Sequence, residues 1–255
     1  RGMLATSWCW RGTELLAPAR AVEDRRVDSL RGMALLAPWA NRLPGDRYGS
    51  ADRSVDLTAL DLERDAAGRP LHGTLAGRGA WEVLEHGTDV VVAAVQLDAD
   101  PLTAAAFPFA ARIEVSWRLG AGALDVETTL LATGDEAVPA CFGWHPYLRL
   151  GTERSACTVA LPGGAPEPIG DVTIDDLHAL GAARDAALTG GGRTVNLTLG
   201  AGFDALQVWM PAGEAFVCLE PMVAATGALA TGDHPVARPG APYRASFRLA
   251  VRGTD

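Results

Sequence analysis

The sequence contains no lysine, although it has 22 basic residues, all of them arginine. Without lysine, the chain has no side chain that can form a Schiff base with a carbonyl substrate. It also lacks the residue that a P-loop places on nucleotide phosphates. Enzymes that depend on a catalytic lysine and nucleotide-binding P-loop proteins are therefore excluded.

Cysteine is also scarce, and the four cysteines lie far apart at Cys9, Cys141, Cys157 and Cys218. No CxxC pair occurs, so the spacing of a structural zinc site is absent. We expect free thiols and a reducing, cytoplasmic setting. Neither a signal peptide nor an apolar run of about 18 residues is present, which predicts no membrane span. Because the chain starts at Arg1 without an initiator methionine, we expect that residues before it are missing.

Positive charge is in deficit, with a formal net charge of −9 and a pI near 5.0. This balance disfavours nucleic acid and anionic membranes as partners. The 255 residues are 48% hydrophobic, which is enough to bury a substantial core. No change in composition marks a linker, so we predict one domain that spans residues 1–255.

Alternation with a period of two is the clearest pattern in the chain. In the stretches ARIEVSWRL (111–119) and ALDVETTLL (123–131), apolar residues occupy every second position. Two such runs around a glycine-containing turn predict an antiparallel hairpin with one wet face. The best helix candidate, residues 175–188, is interrupted by Gly181. Many short strands separated by turns predict an all-β antiparallel sandwich with few or no long helices.

Five short stretches place a polar or charged side chain where a β-core alone needs none. The candidates are Arg42 in ANR, His72 in LHG, His145 in GWHPY, Asp204 in FDALQVW and Glu220 in CLEP. Each one also has a purely structural explanation, such as a solvated turn arginine, a core histidine or a capping aspartate. From the residues alone, both interpretations stay open.

Glu220 and His145 share a local pattern that suits proton transfer. Each one follows an apolar run and precedes a proline, Pro221 or Pro146, which has no N–H and is expected to end strand pairing. A carboxylate at the end of an apolar strand is partly desolvated, which raises its pKa and makes it a better base. An imidazole exchanges protons near neutral pH.

Taken together and in this order, the stretches resemble the aldose 1-epimerase (mutarotase) family. The similarity begins with GTELLAP, APWANRLPGDRYG and LHGTLAGRGAWEV. It continues through FPFAARIEVSWRLGAGALDVETTLLATGDEAVPACFGWHPYLRL and ends with FDALQVWMP and FVCLEPM. The histidine of GWHPY and the glutamate of LEPM are its most specific features, whereas residues 161–192 match nothing in the family pattern.

The resemblance implies a galactose mutarotase-like β-supersandwich without a metal or organic cofactor. It also implies that the chain interconverts the α and β anomers of an aldose, a small sugar being its partner. The family's acid corresponds to His145 and its base to Glu220. Arg42, His72 and Asp204 match positions that hold sugar hydroxyls.

Anomer exchange needs such an acid and base. The base takes the proton of the C1 hydroxyl, and the acid protonates the ring oxygen while the C1–O5 bond breaks. Ordinary pKa values of about 4.3 for glutamate and about 6.5 for histidine favour glutamate as acceptor and protonated histidine as donor. Activity is then expected to fall at alkaline pH as the imidazolium disappears.

Two alternatives to an epimerase of free hexoses such as glucose or galactose stay open. A hexose-phosphate 1-epimerase would hold its phosphate with cations, for which Arg42, Arg47 and Arg78 are available. The net charge of −9 argues mildly against an anionic substrate. A non-catalytic carbohydrate-binding protein would need residues for the hydroxyls but neither an acid nor a base. The sequence does not indicate the oligomeric state.

Overall fold

The structure, a computed structural model, describes residues 2–19, 27–50 and 53–254. Their strands are β1 (Cys9–Trp10), β2 (Thr13–Glu14), β3 (Met33–Leu36), β4 (Arg47–Ser50), β5 (Arg53–Asp56), β6 (Glu82–His86), β7 (Val90–Gln96), β8 (Ala111–Gly120), β9 (Ala123–Ala132), β10 (Val138–Pro139), β11 (Gly143–Arg149), β12 (Thr158–Ala160), β13 (Glu167–Pro168), β14 (Ile174–Ala179), β15 (Asp185–Gly190), β16 (Arg193–Leu199), β17 (Ala205–Met210), β18 (Phe216–Met222), β19 (Val236–Ala237) and β20 (Tyr243–Gly253). The α-helices are α1 (Val27–Leu30), α2 (Pro101–Ala106) and α3 (Ala228–Thr231), with 3₁₀ turns at Leu97–Ala99 and Arg154–Ala156. None of these helices has the length and apolar character needed to cross a membrane.

Nine strands form a large antiparallel sheet in the order β13-β12-β15-β16-β20-β9-β8-β7-β6. The hairpin predicted from the alternating pattern lies within it, because β8 pairs with β9 from Ala111↔Ala132 to Gly120↔Ala123. The alternation also sets the two faces of the sheet, since Val115 is buried and the following Ser116 is only half-buried. That part of the prediction is confirmed.

Five strands form a second antiparallel sheet in the order β14-β17-β18-β11-β3. Its inner face packs on the large sheet, where the indole of Trp144 in β11 donates a hydrogen bond to Thr128 of β9 over 3.0 Å. One cluster of buried side chains draws on both sheets. This two-sheet arrangement confirms the prediction of an all-β antiparallel sandwich, whereas the single-domain boundary stays a prediction.

The outer face of the five-stranded sheet carries a second, smaller apolar cluster, which includes Leu36, Tyr147, Phe216 and Cys218. Loops from the first third of the chain lie over this face, and a cis Ala37–Pro38 peptide follows β3 there. This face and its covering loops hold four of the five predicted site residues.

The best helix candidate in the sequence, residues 175–188, is not helical. Its first part lies in β14, which pairs with β17 from Ile174↔Met210 to Ala179↔Ala205, and its last part lies in β15. Pairing with a buried neighbouring strand overrides the weak local helical pattern, and Gly181 lies between the two strands.

Candidate functional site

His145 and Glu220 lie on neighbouring strands at the centre of the five-stranded sheet. β11 and β18 pair at Gly143↔Met222, and this register places His145 directly opposite Glu220. Because side chains alternate along a strand, both project from the outer face of the sheet. Distant parts of the sequence are thus brought together by strand pairing.

Pro146 and Pro221, which follow these two residues, do not end their strands. β11 and β18 both continue past their proline, so the sequence-based expectation of a strand end is wrong. Pro146 still faces Met33 of β3, and Pro221 faces Leu206 of β17. The ladder between β11 and β18, however, skips both prolines, which have no N–H to donate. The prolines thus loosen the pairing beside His145 and Glu220 without terminating it.

The two side chains form a buried pair, which we call the proton-transfer pair. His145 Nε2 lies 3.4 Å from Glu220 Oε1, and the residues are only 3% and 2% exposed. The imidazole stacks on the ring of Tyr147 at 4.5 Å between centroids and meets the edge of Trp209 at 5.9 Å. Aromatic packing therefore fixes the orientation of the imidazole.

His72 lies beside this pair, held by an unusual turn. Its φ of 60° is in the left-handed region, as is the 68° of Gly73, and its backbone N–H donates to the carbonyl of Asn41 over 2.9 Å. A Cβ on Gly73 would lie 2.2 Å from the carbonyl oxygen of Ala37, so only glycine fits there. The turn brings the His72 ring to 5.3 Å from the His145 ring.

Burial controls the protonation of both histidines. It lowers the pKa of His72 to about 3, with a further contribution from the nearby guanidinium of Arg42. Burial also lowers the pKa of His145 well below its ordinary value, and the neighbouring His72 acts in the same direction. In the free protein at neutral pH, both imidazoles are therefore neutral, and His145 can offer an N–H rather than an imidazolium.

Four residues close a ring of hydrogen bonds beside the pair, and we call them the polar ring. Asn41 donates to Gln207 over 3.0 Å, and Gln207 donates to Asp175 over 2.7 Å. Arg42 completes the ring, donating to Asp175 over 3.0 Å and to Asn41 over 2.7 Å. Its Nε also lies 3.2 Å from Asp65. Sugar hydroxyls, which both donate and accept, could replace these bonds one for one.

Asp204 lies apart from this group. It is exposed, and its backbone N–H donates to the carbonyl of Met222 over 3.1 Å while its carbonyl accepts from Leu180. It does not line the cavity that holds the other four predicted residues. The structure therefore brings Arg42, His72, His145 and Glu220 together but leaves Asp204 outside.

Asp175 and Gln207 are site residues that sequence reasoning missed. Gln207 is a buried polar residue in an otherwise apolar strand, two positions before Trp209 in the quoted stretch DALQVW. The sequence alone could have indicated Gln207, because an amide within an apolar strand needs a hydrogen-bond partner when it is buried. Asp175 belongs to no recognisable motif, and it lies within residues 161–192, which do not resemble the family pattern.

A cavity of about 100 Å³ contains these side chains, and we call it the inner cavity. The proton-transfer pair, His72, Trp209 and the polar ring line it. An outer cavity of about 510 Å³ shares the four polar-ring residues, so the two spaces meet at the ring. A larger cavity of about 570 Å³ lies over the outer face of the nine-stranded sheet and contains neither His145 nor Glu220.

Cys218 lies next to the proton-transfer pair in the same sheet. Potential ligand atoms of His145, Cys218 and Glu220 lie within 4.8 Å of one another, and among the described residues this is the one such group. Nitrogen, sulfur and oxygen donors of this kind suit zinc or a similar cation. The same imidazole and carboxylate also suit proton transfer, which uses no metal.

Comparison with known proteins identifies one family. The family model described as aldose 1-epimerase matches residues 4–164. This range includes Arg42, His72 and His145 but ends before Glu220. A comparison with curated protein sequences finds no match.

Solved structures share the fold. The Slr1438 protein from Synechocystis sp. PCC 6803 is 23% identical, with a TM-score of 0.81 over 100% of this chain and 90% of that one. An aldose 1-epimerase candidate from Escherichia coli K12 is 20% identical, with a TM-score of 0.78 over 99% and 94%. The galactose 1-epimerase from Lactobacillus acidophilus NCFM is 11% identical, with a TM-score of 0.72 over 100% and 90%.

Proposed function

Because this chain belongs to the aldose 1-epimerase family, we propose that it interconverts the α and β anomers of a free hexose such as glucose or galactose. The observation that carries the proposal is the buried His145–Glu220 pair in a cavity lined by polar side chains. An acid and a base side by side match a reaction in which two oxygens on one carbon exchange protons.

In the proposed reaction, Glu220 accepts the proton of the C1 hydroxyl while His145 donates a proton to the ring oxygen. The C1–O5 bond breaks, and an open-chain aldehyde forms. Rotation about the C1–C2 bond presents the other face of the aldehyde to the C5 hydroxyl, and ring closure reverses both transfers. No bond to the protein forms at any stage.

A neutral His145 can serve as this donor because Glu220 is close by. In a concerted transfer, Glu220 gains a proton from the sugar while His145 gives one to the sugar. The net charge of the His145–Glu220 pair is therefore unchanged. The 3.4 Å between the two side chains allows this exchange. A neutral imidazole N–H can polarise a substrate oxygen when its site lowers the histidine pKa.

Arg42, His72, Asp175 and Gln207 are proposed to hold the sugar. Their side chains line the inner cavity around the proton-transfer pair. The guanidinium and amide donate hydrogen bonds, and the carboxylate accepts them, which suits a neutral polyol. Asp204, the remaining sequence-based candidate, is left out of this set because it lies outside the inner cavity.

The charges around the cavities favour a neutral hexose over its phosphate. Arg42 is paired with Asp65 and Asp175, and Arg69 in the outer cavity is paired with Asp65 over 2.7 Å. A phosphate would need cations that are not already neutralised by carboxylates. A purely sugar-binding role is less well supported, because binding alone would not require a buried acid and base.

Exchange NMR on equilibrated glucose and galactose tests the proposal, since the protein should accelerate interconversion of the anomers above the buffer rate. Glu220→Gln should abolish the acceleration while sugar binding remains measurable by titration. Equal rates with and without the protein for both hexoses and for their 6-phosphates would remove the enzymatic function. Normal turnover by Glu220→Gln would remove Glu220 as the base.

A further inference from the structure

A thiol lies beside the proton-transfer pair and has no part in the proposed reaction. Cys218 lies two residues before Glu220 in β18, so both side chains project from the outer face of the sheet. Donor atoms of His145, Cys218 and Glu220 all lie within 4.8 Å of one another. Thiolate, imidazole and carboxylate are the three side-chain ligands of zinc. The group therefore holds the donors that a zinc-like ion needs.

The spacing of these donors fits a tetrahedral ion after small side-chain movements. Zinc binds nitrogen, oxygen and sulfur at about 2.0–2.3 Å, so its ligand atoms lie roughly 3.3–3.8 Å apart. His145 Nε2 and Glu220 Oε1 already lie 3.4 Å apart. The other ring nitrogen of His145, Nδ1, is buried and bonds to none of the described residues. A proton can therefore shift from Nε2 to Nδ1 without breaking a hydrogen bond, which leaves a lone pair on Nε2 for the ion.

The charge of the group also suits a divalent cation. A carboxylate, a thiolate and a neutral imidazole together carry two negative charges, which one divalent ion cancels. Such cancellation matters in a buried site, where an uncompensated charge is costly. The nearby guanidinium of Arg42 is already compensated by Asp65 and Asp175. Magnesium and calcium prefer six or more oxygen ligands, so these donors select against them.

The inner cavity gives an ion access to the group. His145 and Glu220 line this cavity, and Cys218 is fully buried behind them in the apolar cluster that contains Tyr147 and Phe216. A bare ion is smaller than the end of a sugar that would have to reach the same two side chains. Because both need the same place, a bound ion and a bound sugar exclude each other.

We propose that His145, Cys218 and Glu220 form an inhibitory site for zinc or a similar thiophilic divalent cation. The thiol of Cys218 releases its proton to solvent as the ion bonds to sulfur, nitrogen and oxygen. The ion then occupies the two groups that would exchange protons with the sugar, and catalysis stops until a chelator removes it. Metal binding stands on these three side chains alone, whereas the inhibition rests on the proposed function.

Cadmium, a thiophilic analogue of zinc, tests the site without reference to activity, because a cadmium–thiolate bond absorbs in the ultraviolet. The background is Cys9→Ser, which removes the exposed thiol. Titration of this reduced protein with cadmium should produce the absorption. Cys218→Ala should abolish it, and Glu220→Gln should weaken cadmium binding at least about tenfold. Cys141→Ala, at another buried thiol, is the matched control and should change neither. No absorption in the background protein, or absorption that survives Cys218→Ala, would overturn the site.

Exchange NMR on glucose tests the inhibition, with each protein compared with its own rate in EDTA and with zinc alone as the blank. Excess zinc should lower kcat/KM at least about 10²-fold, because it disables both the acid and the base. EDTA should restore the rate, and magnesium should leave it unchanged. Cys218→Ala should need at least about tenfold more zinc for the same loss, whereas Cys141→Ala should need no more than the wild-type protein.

The two measurements separate the inhibitory site from the proposed function. Anomer exchange that zinc does not slow, or that zinc slows equally in Cys218→Ala, would overturn the inhibitory site and leave the function standing. Cadmium–thiolate absorption in a protein that does not exchange anomers in EDTA would overturn the function and support the metal site.

Discussion

At the scale of single residues, the structure and the sequence pattern disagree about which carboxylate, Asp175 or Asp204, belongs to the site. Asp175 lines the inner cavity, whereas Asp204 lies outside it. We predict that Asp175→Asn raises KM for glucose about tenfold, in line with the loss of a charged hydrogen-bond acceptor. Asp204→Asn is the matched control and should leave KM within about twofold. The reverse result would restore Asp204 as the sugar ligand.

His145 shows how burial alters an expectation based on residue type. The ordinary pKa of histidine predicts an imidazolium donor and a loss of activity at alkaline pH, but burial lowers the pKa of His145 and keeps it neutral. We therefore expect kcat/KM to stay level between pH 6.5 and about 9, because protonated His145 is not the reactive form.

The variant His145→Asn should lower kcat by about 10²- to 10⁴-fold throughout this pH range, the usual contribution of a positioned acid. Stopped-flow polarimetry of the wild-type protein and the variant measures both quantities. A wild-type profile that declines with rising pH through about 6.5 would identify the imidazolium as the donor.

At the scale of elements, a buried hydrogen bond between two side chains helps to join the two sheets behind the site. Trp144 in β11 donates to Thr128 in β9, and both residues are fully buried. Thr128→Val keeps the shape but leaves the indole N–H unpaired, so we predict a loss of about 1–3 kcal/mol in the free energy of unfolding. Thr13→Val, at an exposed position in β2, is the control and should cost no more than about 0.5 kcal/mol. Urea unfolding followed by tryptophan fluorescence measures the free energy of unfolding of both variants. Equal losses would show that the Trp144–Thr128 hydrogen bond does not contribute to stability.

The strands also show which parts of the fold a local sequence pattern can predict. The β8–β9 hairpin could be predicted because local alternation is strong over ten residues in each strand. β14 could not, since its pattern is mixed and only its pairing with β17 makes it a strand. The prediction that Pro221 ends its strand was wrong for a similar reason. The missing N–H of Pro221 is tolerated because the hydrogen-bond ladder to β11 is interrupted at that point. Local rules fail where a partner strand decides the outcome.

Across the whole molecule, the site depends on long-range pairing that no local pattern reveals. Arg42, His72, His145 and Glu220 were found because their motifs resemble a family, and their meeting in one cavity follows from sheet order. Asp175 and Gln207 join them from β14 and β17, the edge strand and its neighbour in the same sheet. The polar ring could therefore be recognised only once the strand order was known.

The buried histidines also make the stability of the whole molecule depend on pH. His72 has a pKa of about 3 in the folded protein and about 6.5 when unfolded, so below pH 6.5 the unfolded chain binds a proton that the folded chain does not. The free energy of unfolding therefore falls as pH falls from 6.5 towards 3. At pH 5 the contribution of His72 is a loss of about 2 kcal/mol relative to pH 8.

Urea unfolding between pH 8 and pH 5 measures this slope. The window lies above the range in which carboxylates such as Asp65, whose pKa is about 2 in the folded protein, lose their stabilising effect. His72→Asn should reduce the slope even if it lowers stability overall, because it removes one of the two buried imidazoles that take up a proton on unfolding and leaves only that of His145. His86→Asn is the control, since His86 is exposed and water reaches it in both states. A slope that His72→Asn leaves unchanged would show that this imidazole is not held neutral by burial.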